Sequence, residues 1–253
     1  MTPIHPLIRD IQAMLPRADW DIGARTGDPR YVTLHYNGPA VRLRGSHKAE
    51  LNQLKIDARY HMRPGALGSA KGGDGLQYHF GVLSDGTIYQ TRELDAILWH
   101  CGHKVGNPWS LSVHLPLGGN QDATESQWAA TTLLFDWLRR EYAIPTDRIL
   151  GHCEWGTKPD CPGPSLLPRL VRWRKAAAST PLHRGFAIAR ATAIYEGPSP
   201  RYPVALHGQA TLAPAAAVEV DAIVIGTFEA GDSRWLHLKN GVGFIPLGAT
   251  AGL

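Results

Sequence analysis

Gly151-His152-Cys153-Glu154-Trp155-Gly156-Thr157-Lys158-Pro159-Asp160-Cys161-Pro162-Gly163 follows a short apolar run, Ile149-Leu150, that reads as the end of a β-strand. A strand that ends in a Gly-His step and opens into a Pro- and Gly-containing loop holds side chains rigidly at the rim of a cleft. The stretch brings an imidazole, a lysine and thiols within a few residues of one another. Far upstream, Tyr31-Val32-Thr33-Leu34-His35-Tyr36 is a β-prone run with alternating faces and a histidine near its end. Two histidines and one cysteine would make a three-ligand zinc site with its fourth position open. That is the arrangement of catalytic zinc, since structural sites are closed by four protein ligands.

Four blocks in order carry a resemblance. They are Leu34-His35-Tyr36-Asn37-Gly38; Gln77-Tyr78-His79-Phe80 with Asp85-Gly86-Thr87-Ile88-Tyr89-Gln90; Trp99-His100-Cys101-Gly102 with Asn107 and Ser110; and the Gly151–Gly163 segment. Together they resemble the zinc-dependent N-acetylmuramoyl-L-alanine amidases, the group that includes phage endolysins and the peptidoglycan recognition proteins. The resemblance covers residues 25 to 175, the size of one domain. It implies Zn2+ held by His35, His152 and Cys161, because relatives place Cys or Asp immediately before Pro-Gly, which selects Cys161 over Cys153. It further implies catalytic roles for Tyr78 and Lys158, and a substrate-binding role for His100 in the groove. Asn107 and Trp109 follow in a loop suited to a glycan or stem peptide.

Two departures from the family pattern stand out. Lys158 lies three residues before Cys161 where relatives have two, so a bulge must re-aim it. His114 stands where many relatives carry glutamate; it would either carry a proton near neutral pH or pack in the groove. His61 and His79 are expected to support the core, with His79 facing away from Tyr78 because successive strand residues alternate sides. The carboxylates are scattered and show no glycosidase pair, which disfavours cleavage of the sugar chain.

The apolar fraction of 43% is that of a soluble globular protein. No apolar run approaches the ~20 residues needed to span a bilayer, and Met1–Asp10 lacks the basic-then-apolar build of a secretory signal. Cytoplasmic synthesis is therefore expected, with action on the cell wall after release, and no membrane insertion. A net charge of +4 and a pI of about 9.0 favour anionic surfaces such as wall polymers. No zinc knuckle, RNP motif or basic recognition helix accompanies that charge, so nucleic acid is not an expected partner. Three cysteines are too few and too odd in number for a disulfide framework, and free thiols are expected.

Strands are expected at Tyr31–Tyr36, Tyr78–Leu83, Thr87–Thr91, Leu111–Leu115 and Arg148–Gly151, with a hairpin at Ser84-Asp85-Gly86. Helices are expected at Ser46–Tyr60, where Leu51, Leu54 and Ala58 form one stripe, at Glu125–Tyr142 behind a Thr124 cap, and at Pro168–Ala177. The glycine-rich residues 64–76 lack the ending of a phosphate loop and are expected to border the groove. Mixed strands with helices on the faces give an α/β fold over residues 1–177. Residues 178–184 read as a linker.

Residues 185–253 read as a small all-β barrel. Ala193-Ile194-Tyr195-Glu196-Gly197-Pro198-Ser199 and Trp235–Pro246 resemble a bacterial SH3-like module, a resemblance that implies wall binding. The expected protein is a monomeric, zinc-dependent amidase that hydrolyses the bond between N-acetylmuramic acid and L-alanine of peptidoglycan, of phage or prophage endolysin type. A non-catalytic peptidoglycan-binding protein and a thiol-dependent wall peptidase are the competing readings.

Overall fold

The computed structural model describes residues 8–42 and 44–179 and, beyond them, only strand segments between 185 and 251. The chain divides into two compact units, Met1–Ser179 and Thr180–Leu253. In the first, six strands form one sheet: β1 (Ile8–Asp10), β2 (Tyr31–Gly38), β3 (Phe80–Val82), β4 (Ile88–Gln90), β5 (Ser110–Gly118) and β6 (Ile149–Gly151). The order is β1-β4-β3-β5-β2-β6. Only β3 and β4 run antiparallel; β5, β2 and β6 are mutually parallel and form the half that carries the site. This is the mixed sheet expected from the sequence.

The turn joining β3 and β4 shows how local chemistry sets a register. Gly86 takes φ +87°, Asp85 does not need a positive φ, and the Asp85 carboxylate instead accepts the Thr87 backbone N–H at 2.9 Å. β5 runs beyond Leu115 through Pro116 to Gly118, although proline cannot donate to a ladder. Its pairing with β2 shifts register between Tyr36 and Gly38, so the missing N–H falls at an irregularity.

Helix α1 (His47–His61) opens at Ser46, whose side chain accepts the Ala49 N–H. Its Glu50 is fully buried, yet both oxygens are satisfied by backbone N–H groups: Gly45 at 2.8 Å and Ser84 at 2.6 Å. The short α2 (Gly106–Trp109) leads straight into β5. Helix α3 (Glu125–Glu141) begins at Thr124, which accepts from Gln127 N at 3.0 Å. It buries Ala130, Leu134, Phe135 and Leu138 in a core shared with Val32, Leu34, Val113 and Leu115 of the parallel strands. Helix α4 (Leu166–Ser179) continues two residues into the segment expected to be linker, consistent with the helix preference of Ala176-Ala177-Ala178.

Within residues 64–76, positions 64–71 are mostly exposed. Gly72 to Leu76 are buried, and Asp74 receives both arms of Arg92 at 2.9 and 2.7 Å. All three cysteines are free. No helix among the described residues is long and apolar enough to cross a membrane.

In the second unit, β7 (Gly185–Ile188), β10 (Ala217–Glu229), β11 (Asp232–Leu238), β12 (Phe244–Pro246) and β13 (Thr250–Ala251) form a sheet in the order β12-β11-β10-β7-β13. A separate pair joins β8 (Thr192–Ala193) to β9 (Thr211–Leu212). Trp235, Leu238 and Ile245 are buried. Most of the Ala193–Ser199 motif, and residues 239–243 of the second SH3-like motif, lie outside the described residues.

Candidate metal centre and active site

His35 sits mid-way along β2, one residue beyond the last β6 pairing, and is 1% exposed. His152 opens the 3-10 turn His152–Trp155 that follows β6 directly. The turn is pinned in several ways. Glu154 accepts the Gly151 N–H at 2.7 Å and pairs with Arg174 at 2.8 Å. Trp155 packs edge-on to Tyr31 and donates its indole N–H to Thr33 at 3.0 Å. The loop then folds back so that the Cys161 carbonyl accepts the Cys153 N–H at 2.6 Å. Two glycines make this close return feasible. A Cβ on Gly151 would lie 2.8 Å from the Pro162 ring, and one on Gly163, at φ +96°, would lie 2.6 Å from the Tyr36 ring.

These elements bring His35, His152 and Cys161 together, with their three donor atoms within 4.8 Å of one another. Cys161 Sγ is 3.7 Å from His35 Nδ1. A tetrahedral zinc ion with ordinary Zn–S and Zn–N bonds separates sulfur from nitrogen by ~3.6 Å. The donor set and its spacing therefore fit zinc. Burial, with the neighbouring imidazoles adding, holds the His35 pKa well below its usual value. Burial, then the nearby Lys158 charge, lowers His152 to about 4. Both rings thus keep the lone pairs that ligation needs. Burial pushes the Cys161 thiol up to about 12, so the sulfur releases its proton at neutral pH only when a cation replaces it.

The surrounding residues divide into two groups. Tyr78 packs against His35 with ring centroids 5.0 Å apart, and burial raises its pKa well above 10, so the phenol remains a donor. Lys158 is on the exposed loop, and its charge acts on both His152 and Cys161. His114 pairs with His35 across the β2–β5 ladder and stacks on Tyr78.

Three expected substrate contacts are placed differently. His100 does not line a groove: it is 5% exposed, with Nδ1 3.0 Å from His35 Nε2, and so buttresses the ring whose other nitrogen faces Cys161. The Asn107 oxygen is engaged by Cys101 N at 3.0 Å and Cys101 Sγ at 3.2 Å, closing the loop beside His100. Trp109 carries the Arg30 guanidinium 4.3 Å above its ring and lines a cavity with Tyr142 and Arg148 that shares no residue with the metal cluster.

His79 does support the core, through Ser112 Oγ at 2.8 Å and the Ala96 carbonyl at 3.1 Å. The sequence reading passed over Asp57 on α1, whose carboxylate approaches His114. A signal was available, because Asp57 and His61 fall three and seven residues after Leu54, on the same buried stripe.

Residues 25–164 match the N-acetylmuramoyl-L-alanine amidase family. No curated protein matches the chain. Among solved structures, wild-type Drosophila PGRP-LB is 22% identical, covers 67% of this chain and 91% of its own, and superposes with a TM-score of 0.51. The N-acetylmuramoyl-L-alanine amidase LysC from Clostridium intestinale URNW is 20% identical, covering 70% of this chain and 100% of its own at a TM-score of 0.50. Peptidoglycan recognition protein-LE, in complex with tracheal cytotoxin, is 18% identical, covering 66% and 94% at a TM-score of 0.55. At these identities the likeness is one of fold.

Proposed function

The chain belongs to the N-acetylmuramoyl-L-alanine amidase family, and we propose that it hydrolyses the amide bond between N-acetylmuramic acid and L-alanine of the peptidoglycan stem peptide. The observation that carries this reading is the convergence of His35, His152 and Cys161. When bound there, zinc supplies a Lewis acid for the carbonyl and lowers the pKa of water.

The chain's own residues supply the rest. Amide hydrolysis builds negative charge on the carbonyl oxygen, and the Lys158 ammonium, free on its loop, is the cation available to balance it. The Tyr78 phenol, protonated in its buried setting, donates a hydrogen bond at the same centre and orients the reacting groups. His100 holds the His35 ring at the angle ligation requires. We assign Asn107 and Trp109 no step in the reaction, since one is tied into a loop and the other lines a separate cavity.

The thiol-peptidase alternative fits poorly. A nucleophilic cysteine needs a depressed pKa, and burial drives Cys161 in the opposite direction. The second unit is proposed to bind wall polymer as an SH3-like module. The whole is read as a monomeric enzyme of endolysin type, acting after release from the cytoplasm where it is made; the likeness to LysC supports the fold that this requires.

The test is incubation with defined muropeptides, with zinc and with chelator, and identification of products by mass. Release of peptides with a free L-alanine amino terminus, abolished by chelator and restored by zinc, is expected. Binding without cleavage by zinc-loaded protein would replace the amidase with a non-catalytic receptor.

A further inference from the structure

Asp57 is a carboxylate on α1 that is only 9% exposed. Its ion-pair partner among the described residues is not Lys or Arg but His114, with Nε2 3.4 Å from Oδ2. The carboxylate is fixed in place: Asn37 Nδ2 donates to both oxygens at 2.9 Å, and Gln53 Nε2 donates to Oδ1 at 2.8 Å. What remains of its acceptor capacity is turned toward the imidazole.

His114 is 1% exposed, and neither of its nitrogens makes an aligned hydrogen bond. Buried polar groups are ordinarily satisfied, and a ring used only as filler would be better replaced by a hydrocarbon. The ring instead lies flat on Tyr78, with centroids 4.3 Å apart and planes 3° from parallel. His61 closes on the same phenol edge-on at 5.3 Å.

We propose that Asp57 is a positioning residue: it fixes the rotation and tautomer of His114, and the stacked His114 ring in turn fixes the Tyr78 phenol. A carboxylate facing Nε2 favours the tautomer with its proton there, just as carboxylates orient imidazoles elsewhere. Without it, the ring can turn and the two neutral tautomers mix, so the face on which Tyr78 rests loses its fixed dipole. The role of Tyr78 as donor rests on the amidase reading; the Asp57–His114–Tyr78 arrangement does not.

The experiment therefore has two arms. In the first, long-range proton–nitrogen NMR spectra of the full metal-free chain at neutral pH report the His114 tautomer and the Tyr78 ring shifts. The wild type should show His114 protonated at Nε2 and Tyr78 ring protons shifted by stacking. Asp57→Ala and the equal-volume Asp57→Asn should both mix or reverse the tautomer and relax the Tyr78 shifts, while His79 signals stay in place. In the second arm, zinc-loaded Asp57→Asn should lose kcat on the order of tenfold at constant KM, and the loss should vanish in a Tyr78→Phe background. A wild-type proton on Nδ1, or Tyr78 shifts unmoved by both substitutions, would overturn the proposal. So would an equal loss of kcat with and without the Tyr78 hydroxyl. If no variant cleaves muropeptide, the amidase reading falls, and the NMR arm still decides the positioning.

Discussion

Taking the metal-free protein from pH 7 to pH 5 should lower the stability of its first unit by at least ~2 kcal/mol. His61 is 7% exposed, and burial, against an opposing pull from Asp57, lowers its pKa from 6.5 to about 4. Between those values the unfolded chain binds a proton that the folded one refuses. Stability therefore rises with pH across this window and is lost as pH falls from about 6.5 toward 4. At pH 5 one such histidine costs ~2 kcal/mol.

Burial depresses His35, His79 and His100 in the same direction. Each adds to the loss, against the ~5–15 kcal/mol by which a domain is stable. Asp57 and Asp74 do not offset this, though Asp136, whose pKa burial raises, opposes it in part. Burial opposes ionisation of Asp57 and Asp74, but His114 and Arg92 outweigh it and lower both pKa values, so their stabilisation is lost only at more acidic pH. Urea unfolding followed by tryptophan fluorescence is the assay, since seven of the eight tryptophans lie in the first unit. Equal urea midpoints at pH 7 and pH 5 would refute the claim that these imidazoles are held neutral.

Three further outcomes are expected. His100→Ala should weaken zinc binding by about 10- to 100-fold in a chelator competition, because the ring supporting His35 is lost. Lys158→Met should lower kcat by roughly 10²–10³-fold with zinc content unchanged, as for loss of an oxyanion-stabilising group; full turnover would remove Lys158 from the mechanism. Thr124→Ala deletes the cap on α3 and a hydrogen bond to the Ser84 carbonyl. It should destabilise by about 1 kcal/mol, a drop of ~2–4 °C in Tm by calorimetry.

Much of this was legible because the informative residues announce themselves locally. Thr124 followed by Gln127 marks a helix start in any context, and the α3 start lies where that pair puts it. The β-branched and aromatic run Tyr31–Tyr36, with His35 near its end, reads as a strand for the same reason. What the sequence hid depended on distance in the chain. Asp57 reads only as a carboxylate on the buried stripe of a helix, with no partner in sight, until β5 brings His114 beside it. His100 looks like a groove residue until its loop carries it beneath His35. β1 is three residues long, too short for alternation to register, and is held by pairing with β4.

His35 and Cys161 stand 126 residues apart along the chain, yet their side chains touch. Any ion they grip closes a loop of chain that holds the end of β2 and all of β3 to β6, a loop complete only once Cys161 has been laid down. Ion capture in a growing polypeptide thus precedes α4, whose residues Leu166–Ser179 follow Cys161, and a chelator would act on refolding as well as on turnover. A single backbone nick between those positions would leave two pieces joined by the ion as well as by the shared sheet and core.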